Sequence, residues 1–257
     1  MKRTTYILIA MLAAGLLLTG TFAYFLTCGE KPASSTEIGT LSSMKSEPLP
    51  AFKRVVFTTE DEKMSPVVVP IGMGPADSTG SSISYVSELE PYMKMDLSED
   101  STLNIHFCFP KDRFPENQWH SFLSMRLQLP KEADAVYNHT PYVTTFVKGL
   151  ERDTFSVSTQ NRIELSECKF GTLSASGGSL HFKSGSAGHL HIDLDATNEW
   201  YIHADSFHVD TEHLTGSGTH YCRWVKNESR SLEWYPKTEG ARLNIELREA
   251  AEIVRKD

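Results

Sequence analysis

The sequence predicts an all-β protein that follows an N-terminal membrane helix. Two patterns predict the β structure: alternating apolar and polar residues from about residue 51, and short apolar segments separated by Ser-Gly corners later in the chain. An uncharged apolar segment near the N-terminus predicts the helix. Among all-β architectures we favour a short β-helix, or solenoid, with a β-sandwich as the alternative.

The segment from Tyr6 to Thr27 contains about 21 consecutive uncharged, mostly apolar residues. As a helix it would be about 31 Å long, close to the ~30 Å hydrocarbon core of a bilayer. Lys2 and Arg3 precede it, and such positive charges stay in the cytoplasm. We therefore expect residues 1–28 to be an uncleaved signal anchor of a single-pass envelope protein. Lipid attachment at Cys28, as in a lipoprotein, and cleavage with release are alternatives.

The rest of the chain divides by composition. Residues 29–50 are rich in Ser, Thr, Pro, Glu and Lys and are expected to be a flexible tether. Residues 51–240 form the expected β-rich ectodomain, which is strand-rich over 51–150 and solenoid-like over 151–240. Residues 241–257 fit both a strand and one helical face, so we expect a strand followed by a short capping helix.

The strands of the first half are predicted by alternation with a period of two, the pattern of half-buried strands. The predicted strands are Arg54–Thr58, Val67–Ile71, Met93–Leu97, Leu103–Phe109 and Leu123–Leu129. Pro66 and Pro70 make the segment Val67–Ile71 an edge strand or a loop, since proline cannot donate to a ladder.

Shorter apolar segments recur from about residue 155, roughly every 7 to 11 residues. Between them lie corners such as Ser176-Gly177-Gly178-Ser179 and Gly216-Ser217-Gly218, where glycine supplies positive φ. Leu180-His181-Phe182 and Ile202-His203-Ala204 repeat the same order about 22 residues apart, which is the spacing of a β-solenoid coil. If these segments stack, His181 and His203 become neighbours.

Residues from about Tyr85 to Gly218 resemble the auto-transporter adhesin head GIN domain family of bacterial envelope proteins. The resemblance rests on an L-x-I strand at Leu103-Asn104-Ile105, a strand ending in proline at Met125 to Pro130, and short strands with Ser-Gly corners after Ile163. It implies a right-handed parallel β-helix and no enzymatic activity. It provides no catalytic residue or cofactor to assign to this chain.

Histidines are the first candidate site, because seven of the ten lie between His181 and His220. His189 and His191 alternate with apolar residues on one predicted strand, so both imidazoles share a face that could bind a metal ion together with His181 and His203. The interleaved Leu190, Ile192 and Leu194 define the inward face, which favours solvent-facing histidines and no bound cofactor. A stacked imidazole column would destabilise this half mildly in acid.

Aromatic residues are the second candidate site, since Trp200, Tyr201, Trp224 and Trp234 cluster late in the chain. Exposed rings could bind a glycan, although packing in the core is the commoner role of such residues.

The remaining features exclude several functions. The net charge of −8 and the absence of a basic stripe argue against nucleic acid. Cys108, Cys168 and Cys222 are expected to be small buried side chains, with one disulfide as the alternative. No nucleophile elbow, H-E-x-x-H motif, P-loop or dinucleotide fingerprint is present.

We therefore predict a non-catalytic, membrane-tethered protein of the bacterial cell envelope that presents its β-helical surface for adhesion, ligand binding or assembly with an envelope protein or glycan. One alternative is an exported carbohydrate-active enzyme, for which acid pairs such as Asp193 and Asp195 are available. A second alternative is a histidine-rich metal-binding module.

Overall fold

The computed structural model describes residues 44–59, 68–78, 80–110, 124–225 and 228–249. Within these ranges the chain forms β-strands and a 3₁₀ helix at Ser87–Tyr92, so the prediction of an all-β fold is confirmed. In chain order the strands are β1 Met44–Pro48, β2 Arg54–Thr59, β3 Val69–Pro75, β4 Ser82–Val86, β5 Met93–Leu97, β6 Thr102–Phe107, β7 Met125–Leu129, β8 Ala135–Asn138, β9 Val143–Lys148, β10 Glu151–Ser166, β11 Cys168–Phe182, β12 Gly185–Asp193, β13 Glu199–Ile202, β14 Phe207–Gly216, β15 Thr219–Val225, β16 Ser231–Pro236 and β17 Arg242–Arg248.

Most strands stack in parallel in two ladders. The first ladder runs through β6, β2, β8, the N-terminal halves of β10 and β11, then β12, β14 and β16. The second ladder runs through β7, β3, β9, the C-terminal halves of β10 and β11, then β13. Because β10 and β11 belong to both ladders, the arrangement is solenoid-like. Antiparallel strands β5, β4 and β1 extend the ladders at one end.

Inward side chains stack in columns because the parallel register places equivalent residues above one another. One column of the first ladder contains Val136, Val157, Ala175, Ile192 and Leu214, all of which are buried. The inward face predicted from Leu190, Ile192 and Leu194 is confirmed, since all three are buried. Burial of each such aliphatic side chain contributes about 1.5–3 kcal/mol, so these columns hold successive coils together.

The expectation of an edge strand or a loop near Val67–Ile71 is wrong, because β3 lies between β7 and β9. The prolines do not interrupt this pairing because of where they lie. Pro70 precedes the residues that pair with β7, and Pro75 follows the residues that pair with β9. Each proline therefore lies at a staggered strand end, where a missing N–H costs no ladder hydrogen bond.

Two other boundaries differ from expectation. The corner predicted at Ser176 to Ser179 lies within the continuous strand β11, where Gly177 bends the chain with a φ of 124°. The predicted tether 29–50 is wrong at its C-terminal end, because β1 pairs with β4 and Met44 packs against the core. Parallel pairing also starts well before residue 151, since β2 and β3 already belong to the ladders.

The predicted anchor at residues 1–28, with Cys28, and the predicted capping helix beyond β17 lie outside the described residues. Among the residues that the structure does describe, no helix combines the length and apolarity that crossing a bilayer requires.

Candidate functional site

The second ladder is interrupted after β13. Strand β13 pairs with β11, whereas β15 pairs with β17 in a separate two-stranded sheet, and within the described ranges no ladder joins β13 to β15. An open groove of about 530 Å³ lies at this interruption. That volume is in the ~300–1,000 Å³ range of small-ligand sites. The groove is lined by Asn198, Glu199, Trp200, Tyr201, Tyr221, Cys222, Arg223, Asn244, Ile245 and Glu246.

Two tyrosine rings are exposed in the groove. Tyr221 is 78% exposed and Tyr201 is 49% exposed, which is unusual for side chains whose rings gain free energy on burial. The Tyr201 ring lies against His181 with centroids 5.0 Å apart, and its hydroxyl donates to Glu199 Oε2 at 2.9 Å. Its orientation is therefore fixed before any ligand arrives, which lowers the entropic cost of binding.

The charged groups of the groove have hydrogen-bond partners, and these partners lower the pKa values of both carboxylates. Arg223 Nε donates to Glu246 Oε2 at 3.4 Å, and Arg248 donates to Oε1 of the same carboxylate at 2.9 Å. Hydrogen bonds from Arg248, together with the charge of Arg223, lower the pKa of Glu246. Hydrogen bonds from Ser179 and then Tyr201 lower the pKa of Glu199.

A buried polar cluster lies behind the groove. Trp200 Nε1 donates to Glu212 Oε1 at 2.9 Å. Ser229 Oγ donates to Glu212 Oε2 at 3.3 Å and accepts from Trp224 Nε1 at 3.0 Å. Burial, and then the negative charge of Glu228, raise the pKa of Glu212 to about 7. The cluster couples the Trp200 wall of the groove to the interior of the first ladder.

Cysteine chemistry is absent from the described part of the groove. Cys222 and Cys168 are buried free thiols, as the sequence predicts for small core side chains. Burial raises the pKa of each thiol, and for Cys222 the carboxylates of Glu212 and Glu228 raise it further. Neither side chain provides a thiolate at neutral pH.

The structure divides the four aromatic candidates. Trp200 and Tyr201 line the groove, and Trp224 and Trp234 are not among its lining residues. All three tryptophans are partly buried against the core. Sequence patterns do not single out Arg223, Asn244 or Glu246, because pairing between two distant strands, β15 and β17, brings them together.

Three histidines form a cluster on the outward face of the first ladder. His189 Nδ1 lies 3.0 Å from His213 Nε2, and His191 stacks on His213 with ring centroids 4.3 Å apart. Glu233 Oε2 lies 3.1 Å from His213 Nδ1. Burial, and then the charges of His213 and His189, lower the pKa of His191. Within the described ranges, no three His, Cys, Asp or Glu side chains are arranged to hold a metal ion.

The expected neighbours His181 and His203 do not meet, so this prediction is wrong. The register pairs His181 with Tyr201 and Phe182 with Ile202, which places His203 beyond the end of the ladder. Burial, and then the charge of Arg162, lower the pKa of His181.

The acid pair Asp193 and Asp195 lies outside the groove, and both carboxylates pair with one lysine. Lys237 Nζ lies 2.5 Å from Asp193 Oδ1 and 3.1 Å from Asp195 Oδ2. Hydrogen bonds from the Ser217 hydroxyl and backbone N–H hold the pKa of Asp195 well below its usual range. A carboxylate in this state cannot donate a proton at neutral pH, as the general acid of a glycosidase must.

Comparisons with known proteins give no family, and the similar solved structures resemble the chain only loosely. No family model matches the chain, and no curated protein matches it significantly. A "putative adhesin" from Parabacteroides merdae is 14% identical, with a TM-score of 0.45 over 80% of this chain and 96% of that one. A "putative adhesin" from Bacteroides fragilis is 10% identical, with a TM-score of 0.48 over 79% and 93%. A "putative lipid binding protein" from Parabacteroides distasonis is 9% identical, with a TM-score of 0.45 over 80% and 96%.

Membership of the adhesin head family is not shown, because no family model matches the chain. At these identities and TM-scores, none of the three proteins identifies what this chain does.

Proposed function

We propose that this chain is a non-catalytic, adhesion-like protein of a bacterial cell envelope that captures an envelope component in the groove between β13 and β15. In this proposal residues 1–28 anchor the chain in the membrane, and the segment before β1 is a tether.

The observation that carries the proposal is the pair of exposed tyrosine rings in an open groove of ligand size. Tyr201 and Tyr221 keep large apolar faces in water, and Tyr201 is held in place by His181 and Glu199. A ligand that covers these rings removes their apolar surface from water, which favours binding.

The protonation states favour binding over catalysis. Hydrolysis of a glycoside needs one protonated carboxyl beside one ionised carboxylate. The pKa values of Glu199 and Glu246 are both lowered, so neither is a proton donor at neutral pH. Glu212 has a raised pKa, but it is completely buried behind Trp200 and cannot reach a substrate.

The proposal predicts that Tyr201→Ala weakens binding of the full-length chain to immobilised bacterial envelope fragments by about tenfold, equivalent to about 1.4 kcal/mol. Loss of the ring contact is the physical reason. Biolayer interferometry with detergent-solubilised protein measures the effect. Tyr201→Phe, which keeps the ring, should retain most of the affinity.

Tyr235→Ala is the matched control. Tyr235 is 50% exposed on the first ladder, and its hydroxyl donates to Glu233, two residues earlier, as that of Tyr201 donates to Glu199. Each ring also contacts a histidine, His181 for Tyr201 and His213 for Tyr235. The two tyrosines therefore have similar exposure and similar contacts, and they differ in that Tyr201 alone lines the groove. Equal losses in Tyr201→Ala and Tyr235→Ala, or no loss in Tyr201→Ala, would refute binding in the groove.

A further inference from the structure

We propose that the occupant of the groove is an uncharged saccharide. This inference rests on the proposed function, since it names the chemical class that the same groove binds. The class follows from three properties of the lining: the rings, the hydrogen-bonding groups and the charge balance.

The rings suit the apolar faces of sugars. One face of a pyranose presents C–H groups, which pack on an aromatic face through dispersion and weak C–H contacts. Tyr201 and Tyr221 come from different strands and line the same groove. An oligosaccharide presents such a C–H face on each of its units, so it offers apolar surface to more than one ring.

The hydrogen-bonding groups suit hydroxyls. The amides of Asn198 and Asn244 each offer a donor and an acceptor. The carboxylates of Glu199 and Glu246 accept, and the guanidinium of Arg223 donates. A sugar hydroxyl both donates and accepts, so a hydroxyl-rich ligand can satisfy this mixed set without leaving a buried polar group unpaired.

The charge balance disfavours anionic polymers. The lining contains two carboxylates, Glu199 and Glu246, and one cation, Arg223. Arg223 and the adjacent Arg248 both already bond to Glu246, so both of these guanidinium groups are engaged before an anionic ligand arrives. The whole chain has a net charge of −8. A phosphorylated or sulfated polymer would bring further negative charge toward an excess of negative charge, and its approach is opposed at low ionic strength.

The lining favours a saccharide over an extended peptide. Peptides bound along a strand edge place alternate side chains in apolar pockets. Among the described residues that line the groove, Ile245 is the one aliphatic side chain. Apart from the thiol of Cys222, the remaining surface is aromatic, amide or charged, and it lacks the aliphatic pockets that would select peptide side chains.

The test is saturation-transfer NMR and calorimetry on the full-length chain with soluble gluco-, manno-, galacto- and N-acetylglucosamine oligosaccharides and their sulfated forms. We expect at least one neutral oligosaccharide to bind and to receive saturation on its ring C–H protons. Tyr221→Ala should weaken that binding by about tenfold, and Asn244→Ala by about fivefold, while Tyr235→Ala leaves it within twofold.

The outcomes separate this inference from the proposed function. Tighter binding of the sulfated forms, or selection of peptides from an extended-peptide library in place of sugars, would overturn the saccharide. Envelope binding that depends on Tyr201 but is not competed by any oligosaccharide would also overturn the saccharide inference. In that case the proposed function stands. If the groove variants bind both envelope fragments and saccharide as tightly as the wild type, the proposed function and the saccharide inference are both overturned.

Discussion

Gly185→Ala is expected to lower the free energy of unfolding by more than about 3 kcal/mol. Gly185 begins β12 with a φ of 127°, and an added Cβ would lie 1.8 Å from the carbonyl oxygen of Cys168 on the preceding coil. Strained backbone costs about 1–3 kcal/mol and overpacking against an immobile group costs a similar amount. Denaturant unfolding followed by circular dichroism measures the loss.

Two other glycines distinguish the effect of backbone strain from the effect of steric overlap with the preceding coil. Gly80 also has a positive φ, 99°, but an added Cβ would meet nothing within 4 Å, so Gly80→Ala should cost only about 1 kcal/mol. Gly240 has neither constraint, and Gly240→Ala should change stability by less than about 0.5 kcal/mol. A Gly185→Ala protein as stable as Gly240→Ala would show that the coils are not stacked as closely as described.

Glu212→Gln is expected to raise the free energy of unfolding at pH 8 by about 2 kcal/mol. Glu212 lies in an inward column between Leu190 and Leu232, and no cation is among the causes that shift its pKa. A shift from 4.5 to about 7 corresponds to roughly 3 kcal/mol of penalty once the carboxyl ionises. Glutamine removes the charge but replaces one accepting oxygen with a donor, which forfeits about 1 kcal/mol.

The contribution of Glu212 to the free energy of unfolding changes with pH in one direction. Below the unfolded pKa of 4.5 both states keep the Glu212 proton, and the group contributes nothing. Between pH 4.5 and about 7 the unfolded chain releases the proton while the folded chain retains it, so stability falls as pH rises. Above about pH 7 the penalty is constant. Glu239→Gln, at an exposed carboxylate, is the control.

Two histidines change the free energy of unfolding with pH in the direction opposite to that of Glu212. The pKa values of His181 and His191 are lowered in the folded state, so below pH ~6.5 the unfolded chain takes up protons first. Glu212→Gln should therefore expose a loss of stability between pH 7 and 5.5 that the ionisation of Glu212 masks in the wild type. Urea unfolding across this range measures it. A variant that is less stable than wild type at pH 8 and keeps the wild-type pH profile would contradict the raised pKa of Glu212 and the penalty assigned to its charge.

Local periodicity predicts the strands and the inward aliphatic residues but not the position of Glu212. In β14 the buried positions are Phe207 and Val209, then Glu212 and Leu214, so the period of two shifts by one residue at Asp210. The preceding coil shifts at the equivalent place, Gly188, where an added Cβ would lie 2.8 Å from Gly171 O. A strict period of two misses this corner and cannot place Glu212 inside.

Strand register is the second feature of the fold that sequence patterns do not determine. The similar segments around His181 and His203 predict a stacked histidine pair, but the ladder hydrogen bonds select the pairing of His181 with Tyr201. The groove exists because β15 leaves the second ladder to pair with β17. That choice depends on long-range packing, and no local motif around Tyr221 or Asn244 reports it.

Hydrogen–deuterium exchange of the full-length chain with and without saturating envelope fragments tests binding in the groove most directly. We predict slower exchange in 198–202, 219–225 and 242–248 together, because one ligand covers the three segments, and unchanged exchange in 231–236 on the first ladder. Protection confined to the histidine face of the first ladder, or absent from all three groove segments, would contradict the assignment of this groove as the binding site.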